Sequence, residues 1–353
     1  MPDPAQVAER VALWKDHGPQ GPMTLELYPT LTCNLNCTFC DTTDRHRPPV
    51  DELSQERLLE IVDEAAQMGV KRLFLLGGGE PLVRKEATPA IMARAKSHGM
   101  EGILTTNGTL LNDQLNAEIL DMAWDEIHFS IDGPSAEIHD ALRGQNGAFK
   151  KTVRNACKLS VLKRKRGLDH PRIAIHFVLT NRNHKHLTEM VDLAAAIGAF
   201  RIDFDALIAY TPDQLALQLS SAERQAVQEE AQRALERANA LGIVTTLENF
   251  LHPDRLERGT EPPKAPDGEG FKGAPCLKAW HYLVVQADGK TSPCCVLAGE
   301  GGSVAKSDLQ TVWQTDEFMN TVRDGMLAKS PLPRCSECSW NILSHEAEIR
   351  RHL

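Results

Sequence analysis

The stretch Leu25-Glu26-Leu27-Tyr28-Pro29-Thr30-Leu31-Thr32-Cys33-Asn34-Leu35-Asn36-Cys37-Thr38-Phe39-Cys40 joins a short apolar run to a loop with three cysteines. Its beginning reads as a β-strand, and the theme returns along the chain. Residues 72–76, 102–106, 126–130, 172–179, 201–204 and 243–247 are each apolar or β-branched runs followed by a turn and a helix-period segment. In those segments apolar residues stand three and four apart, as in Leu58, Leu59, Ile61, Val62, Ala65, Ala66 and in Leu187, Met190, Val191, Leu193, Ala194. Ser54 and Asn112 are expected helix N-caps, and Gly69, Gly198 and Gly242 are expected to close helices in a left-handed conformation. Regular alternation of strand and helix means right-handed βαβ units and a parallel sheet. About six units, with no sign of eight, predict an α/β fold built on a partial (β/α)6 parallel barrel. Ligand sites in such folds form at the carboxyl ends of the strands, and the cysteine loop follows the first strand.

Three clustered thiolates are an informative number. An iron–sulfur cube that only moves electrons takes four protein ligands, so a set of three leaves one iron open to a small molecule. A structural zinc site is the other reading, but zinc closes with four protein ligands, and no further Cys or His follows until His46.

The chain has 353 residues and a formal net charge of −9, which argues against general affinity for nucleic acid. The basic run Lys163-Arg164-Lys165-Arg166 reads as a solvated helix end. No stretch approaches the roughly 20 apolar residues needed to span a bilayer, and the start Met-Pro-Asp-Pro lacks the features of a signal peptide. A cytoplasmic protein without membrane partners is expected, whose nine cysteines stay out of disulfides and by their clustering point to metal.

With Phe39 in its aromatic position, the cysteine loop resembles the C-x3-C-x-(aromatic)-C signature of radical S-adenosylmethionine (SAM) enzymes, whose fourth iron is chelated by the amino and carboxylate groups of SAM. The resemblance extends to Gly77-Gly78-Gly79-Glu80-Pro81, similar to the family's motif for the SAM amino group, and to the strand ends at Thr106-Asn107 and Ser130-Ile131-Asp132. Successive glycines allow close backbone approach to a ligand and present N–H and C=O groups. His139-Asp140-Ala141-Leu142-Arg143-Gly144 resembles a segment whose arginine pairs with the SAM carboxylate, a task suited to a guanidinium fork. The resemblance implies cofactor contacts at Phe39, Gly77, Gly78, Gly79, Glu80, Pro81, Thr106, Asn107, Ser130, Asp132 and Arg143, and a [4Fe–4S] cluster on Cys33, Cys37 and Cys40.

Pro253 to Pro275 holds five prolines and four glycines with little apolar content, and reads as a connector. Beyond it stand five cysteines. Cys276, Cys294, Cys335 and Cys338 make a full thiolate set for one further metal group, iron–sulfur or zinc. Their spacing resembles the SPASM and Twitch auxiliary-cluster extensions, implying a second [4Fe–4S] cluster in a small cysteine-rich domain. Among such enzymes the arrangement is most similar to 2-deoxy-scyllo-inosamine dehydrogenase. The expected division is an N-terminal extension 1–22, the barrel 23–250, a linker 251–275 and the auxiliary-cluster domain 276–353.

The chemistry implied is reductive cleavage of SAM, hydrogen-atom abstraction, and oxidation of the substrate radical through the auxiliary cluster, as in a small-molecule or carbohydrate dehydrogenase. A low-potential donor such as flavodoxin or ferredoxin would supply the electron. Alternatives are a maturase that crosslinks or epimerises a ribosomal peptide, and a non-catalytic zinc scaffold. Cys295, Asp205 and Tyr210 are candidate catalytic groups, and Cys157 is expected to be a small core residue.

Overall fold

The computed structural model describes residues 3–40, 50–209, 211–251, 276–328, 330–337 and 340–353. The connector from 252 to 275, Tyr210 and Cys338 lie outside the described residues.

The strands are β1 (Thr24–Leu27), β2 (Arg72–Leu75), β3 (Glu101–Thr106), β4 (Glu126–Ser130), β5 (Arg172–Leu179), β6 (Arg201–Ala206), β7 (Val244–Thr245), β8 (Tyr282–Val285) and β9 (Thr291–Ser292). The seven runs read from sequence are β1 to β7; the last shrinks to two residues before a 3-10 turn at Leu247–Leu251. The class is α/β with parallel strands. β7 and β9 each neighbour a single strand, so the barrel is open rather than closed.

The chain condenses into two compact units that interleave in sequence, one of residues 1–32, 48–103 and 263–353, the other of residues 33–47 and 104–262. In the first, β1 pairs in parallel with β2 on one side and with β8 on the other, with Thr24 opposite both Arg72 and Tyr282. β8 therefore brings the C-terminal cysteine segment beside the strand that leads to Cys33, and β9 pairs antiparallel with it. The helix Pro4–His17 belongs to this unit. Its Val7 and Ala8 pack with Met23, Leu277 and Ile349. Arg323 contacts the rings of both Trp14 and Trp313, at 4.9 and 4.4 Å from their centroids.

In the second unit β4, β5, β6 and β7 pair in parallel in that order. Period-two alternation gives this sheet two unlike faces. Ile127, Phe129, Ile173, Ile175, Phe177, Ile202 and Phe204 form a buried apolar face. The other carries Glu126, His128, Ser130, His176, Asp203 and Asp205, where a parallel sheet with purely structural faces would be apolar on both sides.

Ser54 and Asn112 cap their helices through hydrogen bonds from Arg57 N–H and Leu115 N–H. Gly69, Gly198 and Gly242 have φ of +81°, +83° and +67°. The basic run ends a helix: Lys163 Nζ donates to the Asp169 and Pro171 carbonyls, and Arg166 pairs with Asp121 at 2.6 Å. Cys157 is only partly covered rather than a core residue. No helix among the described residues is long and apolar enough to cross a membrane.

Candidate functional site

The cysteine loop is hooked onto the end of the helix Ala136–Arg143. Asn36 N–H donates to the Arg143 carbonyl at 3.2 Å, and Thr38 N–H donates to the Leu142 carbonyl at 2.8 Å. Gly144 ends the helix at φ +64°, and a Cβ there would overlap the Asn36 carbonyl oxygen. Only glycine meets both demands. Cys37 is buried, and Cys33, Phe39 and Cys40 pack around the same small cluster of Leu35, Cys37 and Ala148.

Arg143 faces this loop. Its Nε lies 2.5 Å from Asp132 Oδ2, its Nη1 donates to Cys37 Sγ at 3.7 Å, and its guanidinium sits 5.2 Å from the Phe39 ring centroid. Burial works against its charge, but Asp132 and Cys37 more than offset that and hold it protonated. Burial likewise pushes the Cys37 thiol up, and Arg143 acts in the opposite direction. An anionic thiolate in this place has a cation already at hand.

The rest of the His139–Gly144 segment is structural. His139 Nδ1 accepts from Asp132 N–H at 3.2 Å, and burial with Arg143 nearby depresses its pKa to about 4, so the ring is neutral. Asp140 accepts from the N–H groups of Gly147 and Phe149, which start the next helix. Asp132 is fully buried; besides Arg143 it holds Val178 N–H at 2.9 Å. The motif is a frame for the cysteine loop.

Thr106 Oγ1 accepts from Gly108 N–H, and Asn107 Oδ1 accepts from Thr109 N–H. Asn107 Nδ2 reaches back to Asn34 Oδ1 at 2.9 Å, tying the end of β3 to the cysteine loop. Ser130 ends β4 with 9% exposure, in register with His176 on β5. His176 Nε2 is 2.7 Å from Asp205 Oδ2 on β6, and both side chains are about one-third exposed, at 36% and 30%. Burial lowers the His176 pKa, but Asp205, Asp203 and Asp132 outweigh it and raise the value. Asp205 was legible as a strand-end acid; His176 was missed, although its place in Arg172-Ile173-Ala174-Ile175-His176 puts it opposite the apolar set.

The glycine turn lies in the first unit. A Cβ on Gly78 would overlap Leu31 Cδ2, and one on Gly79 would overlap the Thr32 carbonyl. Gly79 N–H and Glu80 N–H donate to the Thr30 and Thr32 carbonyls, each at 3.0 Å. These two N–H groups, expected to face a ligand, instead fix the peptide entering Cys33. Glu80 is 2% exposed, and its Oε1 accepts from Leu82 N–H at the start of the short helix Pro81–Val83. Thr30 and Leu31 are further held by Glu52, and Arg84 donates to the Pro29 carbonyl.

A second site in the same unit is a small, partly open cavity lined by Cys276, Cys294, Cys335 and Lys278 among apolar residues. Burial pushes the Cys294 thiol up, and burial together with Cys294 pushes Cys335 to about 11. Thiols gathered where their anions are costly suit a metal group that brings positive charge and displaces the protons. Cys295 opens the adjoining 3-10 turn Cys295–Leu297 and is not part of that lining.

Comparison with known proteins finds matches to the segments that carry the two cysteine sets. Residues 27–194 match the radical SAM superfamily, so the chain carries a radical SAM domain. Residues 276–339 match the SPASM iron–sulfur cluster-binding domain, which stands C-terminal to it. Radical SAM domains bind SAM and a [4Fe–4S] cluster, and SPASM domains bind additional iron–sulfur clusters. The chain is 26% identical to an AdoMet-dependent heme synthase of Methanosarcina barkeri, over 88% of this chain and 86% of that protein. It is 27% identical to a PqqA peptide cyclase of Granulibacter bethesdensis, over 90% of this chain and 81% of that protein. The crystal structure of Streptococcus suis SuiB bound to SAM shares the fold, with a TM-score of 0.68 at 17% identity over 89% of this chain and 71% of that one.

Proposed function

We propose that this radical SAM enzyme abstracts a hydrogen atom from a peptide substrate and matures it by crosslinking or epimerisation. The observation that carries the reading is the similarity, along nine-tenths of the chain, to a peptide cyclase. In this reading Cys33, Cys37 and Cys40 hold the SAM-binding cluster, and Cys276, Cys294, Cys335 and Cys338 hold an auxiliary one. When bound, the cluster and SAM supply a 5′-deoxyadenosyl radical able to attack an unactivated C–H bond.

The chain's own work is placement. Arg143 stabilises Cys37 as a thiolate while Asp132 and Phe39 hold the guanidinium in place. Asn34 and Asn107 fix the loop relative to the end of β3. Gly77, Gly78, Gly79, Glu80 and Pro81 serve the SAM amino group, through carbonyls and the Glu80 carboxylate rather than the N–H groups spent on Thr30 and Thr32. Thr106, Ser130 and Arg143 are the polar groups offered to its ribose and carboxylate. His176, steadied by Asp205, stands as the base for a substrate proton. An electron donor of the flavodoxin or ferredoxin kind completes the system.

A second reading, two-electron oxidation of a small molecule, is favoured by the similarity to a heme synthase. Its particular form as an aminocyclitol dehydrogenase rests on cysteine spacing alone. Anaerobic incubation with SAM, dithionite and deuterated candidates tests the choice: a peptide encoded beside the gene, an iron porphyrin and an aminocyclitol. Deuterium entering 5′-deoxyadenosine from the peptide supports the maturase. Transfer solely from the porphyrin or the cyclitol overturns it.

A further inference from the structure

The cavity framed by Cys276, Cys294 and Cys335 contains a feature that thiolate ligation does not require. Lys278 lines it and is itself only 8% exposed. Its Nζ lies 4.0 Å from the centroid of the Tyr282 ring, and the Tyr282 hydroxyl donates to Glu26 on β1. Glu26 is 2% exposed and Tyr282 7%. The ammonium is thus held against a π-face, whose quadrupole favours a cation, and the ring is anchored in turn by a buried carboxylate.

A cube with four thiolate ligands carries net negative charge when oxidised and gains one more unit on reduction. Ala279, Val296, Leu297, Val322 and Met326, which share the lining, carry no charge to balance it. In such low-dielectric surroundings a cation stabilises the more negative, reduced form more than the oxidised one. We infer that Lys278 sets the reduction potential of the auxiliary cluster, raising it so that the cluster takes up an electron instead of serving as a reductant. The inference rests on the assignment of the C-terminal cysteines as ligands of that cluster.

The test needs no substrate. A full-length Cys33/Cys37/Cys40→Ala variant, reconstituted anaerobically, keeps the C-terminal set as its cluster site, and dithionite titration followed by electron paramagnetic resonance reads its midpoint. Adding Lys278→Gln or Lys278→Met should leave iron content unchanged and weaken electron uptake at least tenfold, about 59 mV toward negative potential for a one-electron couple. Lys278→Arg should return the midpoint toward the parent value. Gln and Met proteins with full iron and the parent midpoint overturn the inference. So does loss of iron from both with retention in the Arg protein, which would assign Lys278 to holding the cluster and not to tuning it. A triple variant that binds no iron at all would instead remove the ligand assignment beneath it.

Discussion

Gly144→Ala is the sharpest perturbation the geometry of the cysteine loop offers. Alanine at φ +64° costs about 1–2 kcal/mol from the left-handed backbone alone. Its Cβ would also overlap the Asn36 carbonyl oxygen. Relief requires the loop to move off the helix end, which gives up Asn36 N–H to the Arg143 carbonyl and Thr38 N–H to the Leu142 carbonyl. At about 1 kcal/mol net for each hydrogen bond, the total is roughly 3–4 kcal/mol. Gly167 provides the control, because it has the same φ of +64° with nothing within 4 Å of where an alanine methyl group would stand. Gly167→Ala should therefore show the backbone cost alone. Urea unfolding reads the stability difference, and iron content with electron paramagnetic resonance reads the clusters. Gly144→Ala should lose the radical SAM cluster and keep the auxiliary one, whereas Gly167→Ala should keep both. If the two variants match in stability and in iron, the hook between loop and helix does not hold the site.

His139, 1% exposed with a pKa near 4, contributes stability that is complete above its unfolded value near 6.5 and disappears as pH falls through 4. The loss approaches about 3 kcal/mol, and His139→Gln, which keeps an acceptor for Asp132 N–H, should flatten urea-measured stability between those limits; an unchanged slope would contradict a buried neutral ring. Arg143→Ala should destabilise by about 3–5 kcal/mol because it strands a fully buried Asp132. Asp132→Asn in the same chain should recover part of that loss in urea unfolding, and strict additivity of the two changes would deny the pair. Replacing Cys33, Cys37 and Cys40 with Ala should abolish SAM cleavage while leaving about four irons per chain. Cleavage at the parent rate would refute the ligand assignment.

The strands β1 to β7 were legible because each is a local pattern: apolar or alternating residues, a turn, then a helix-period segment. β8 was not, and the reason is physical. Tyr282–Val285 acquires its place by pairing with Thr24–Leu27, more than 250 positions earlier, and no local periodicity announces a partner that distant. For the same cause the proline-rich connector, read as a boundary at 251–275, gave no sign that a strand beyond it pairs with β1. In the candidate site, cysteines and glycines were readable because few residues substitute for them. The polar residues around them were assigned to ligand contact, and the structure gives many of them a prior duty: Asp140 starts a helix, Asp132 anchors Arg143, and Glu80 caps Pro81–Val83. Asp132 and Arg143 show why a motif's residue types can be right while its reading stays incomplete. A guanidinium fork suits a SAM carboxylate, but it suits Asp132 and a cysteine thiolate equally well, and only the folded chain reveals that it already serves both. Lys278 left no trace in the sequence, since a lysine two positions after a cysteine is ordinary until the ring of Tyr282, its hydroxyl held by Glu26 on β1, meets the ammonium.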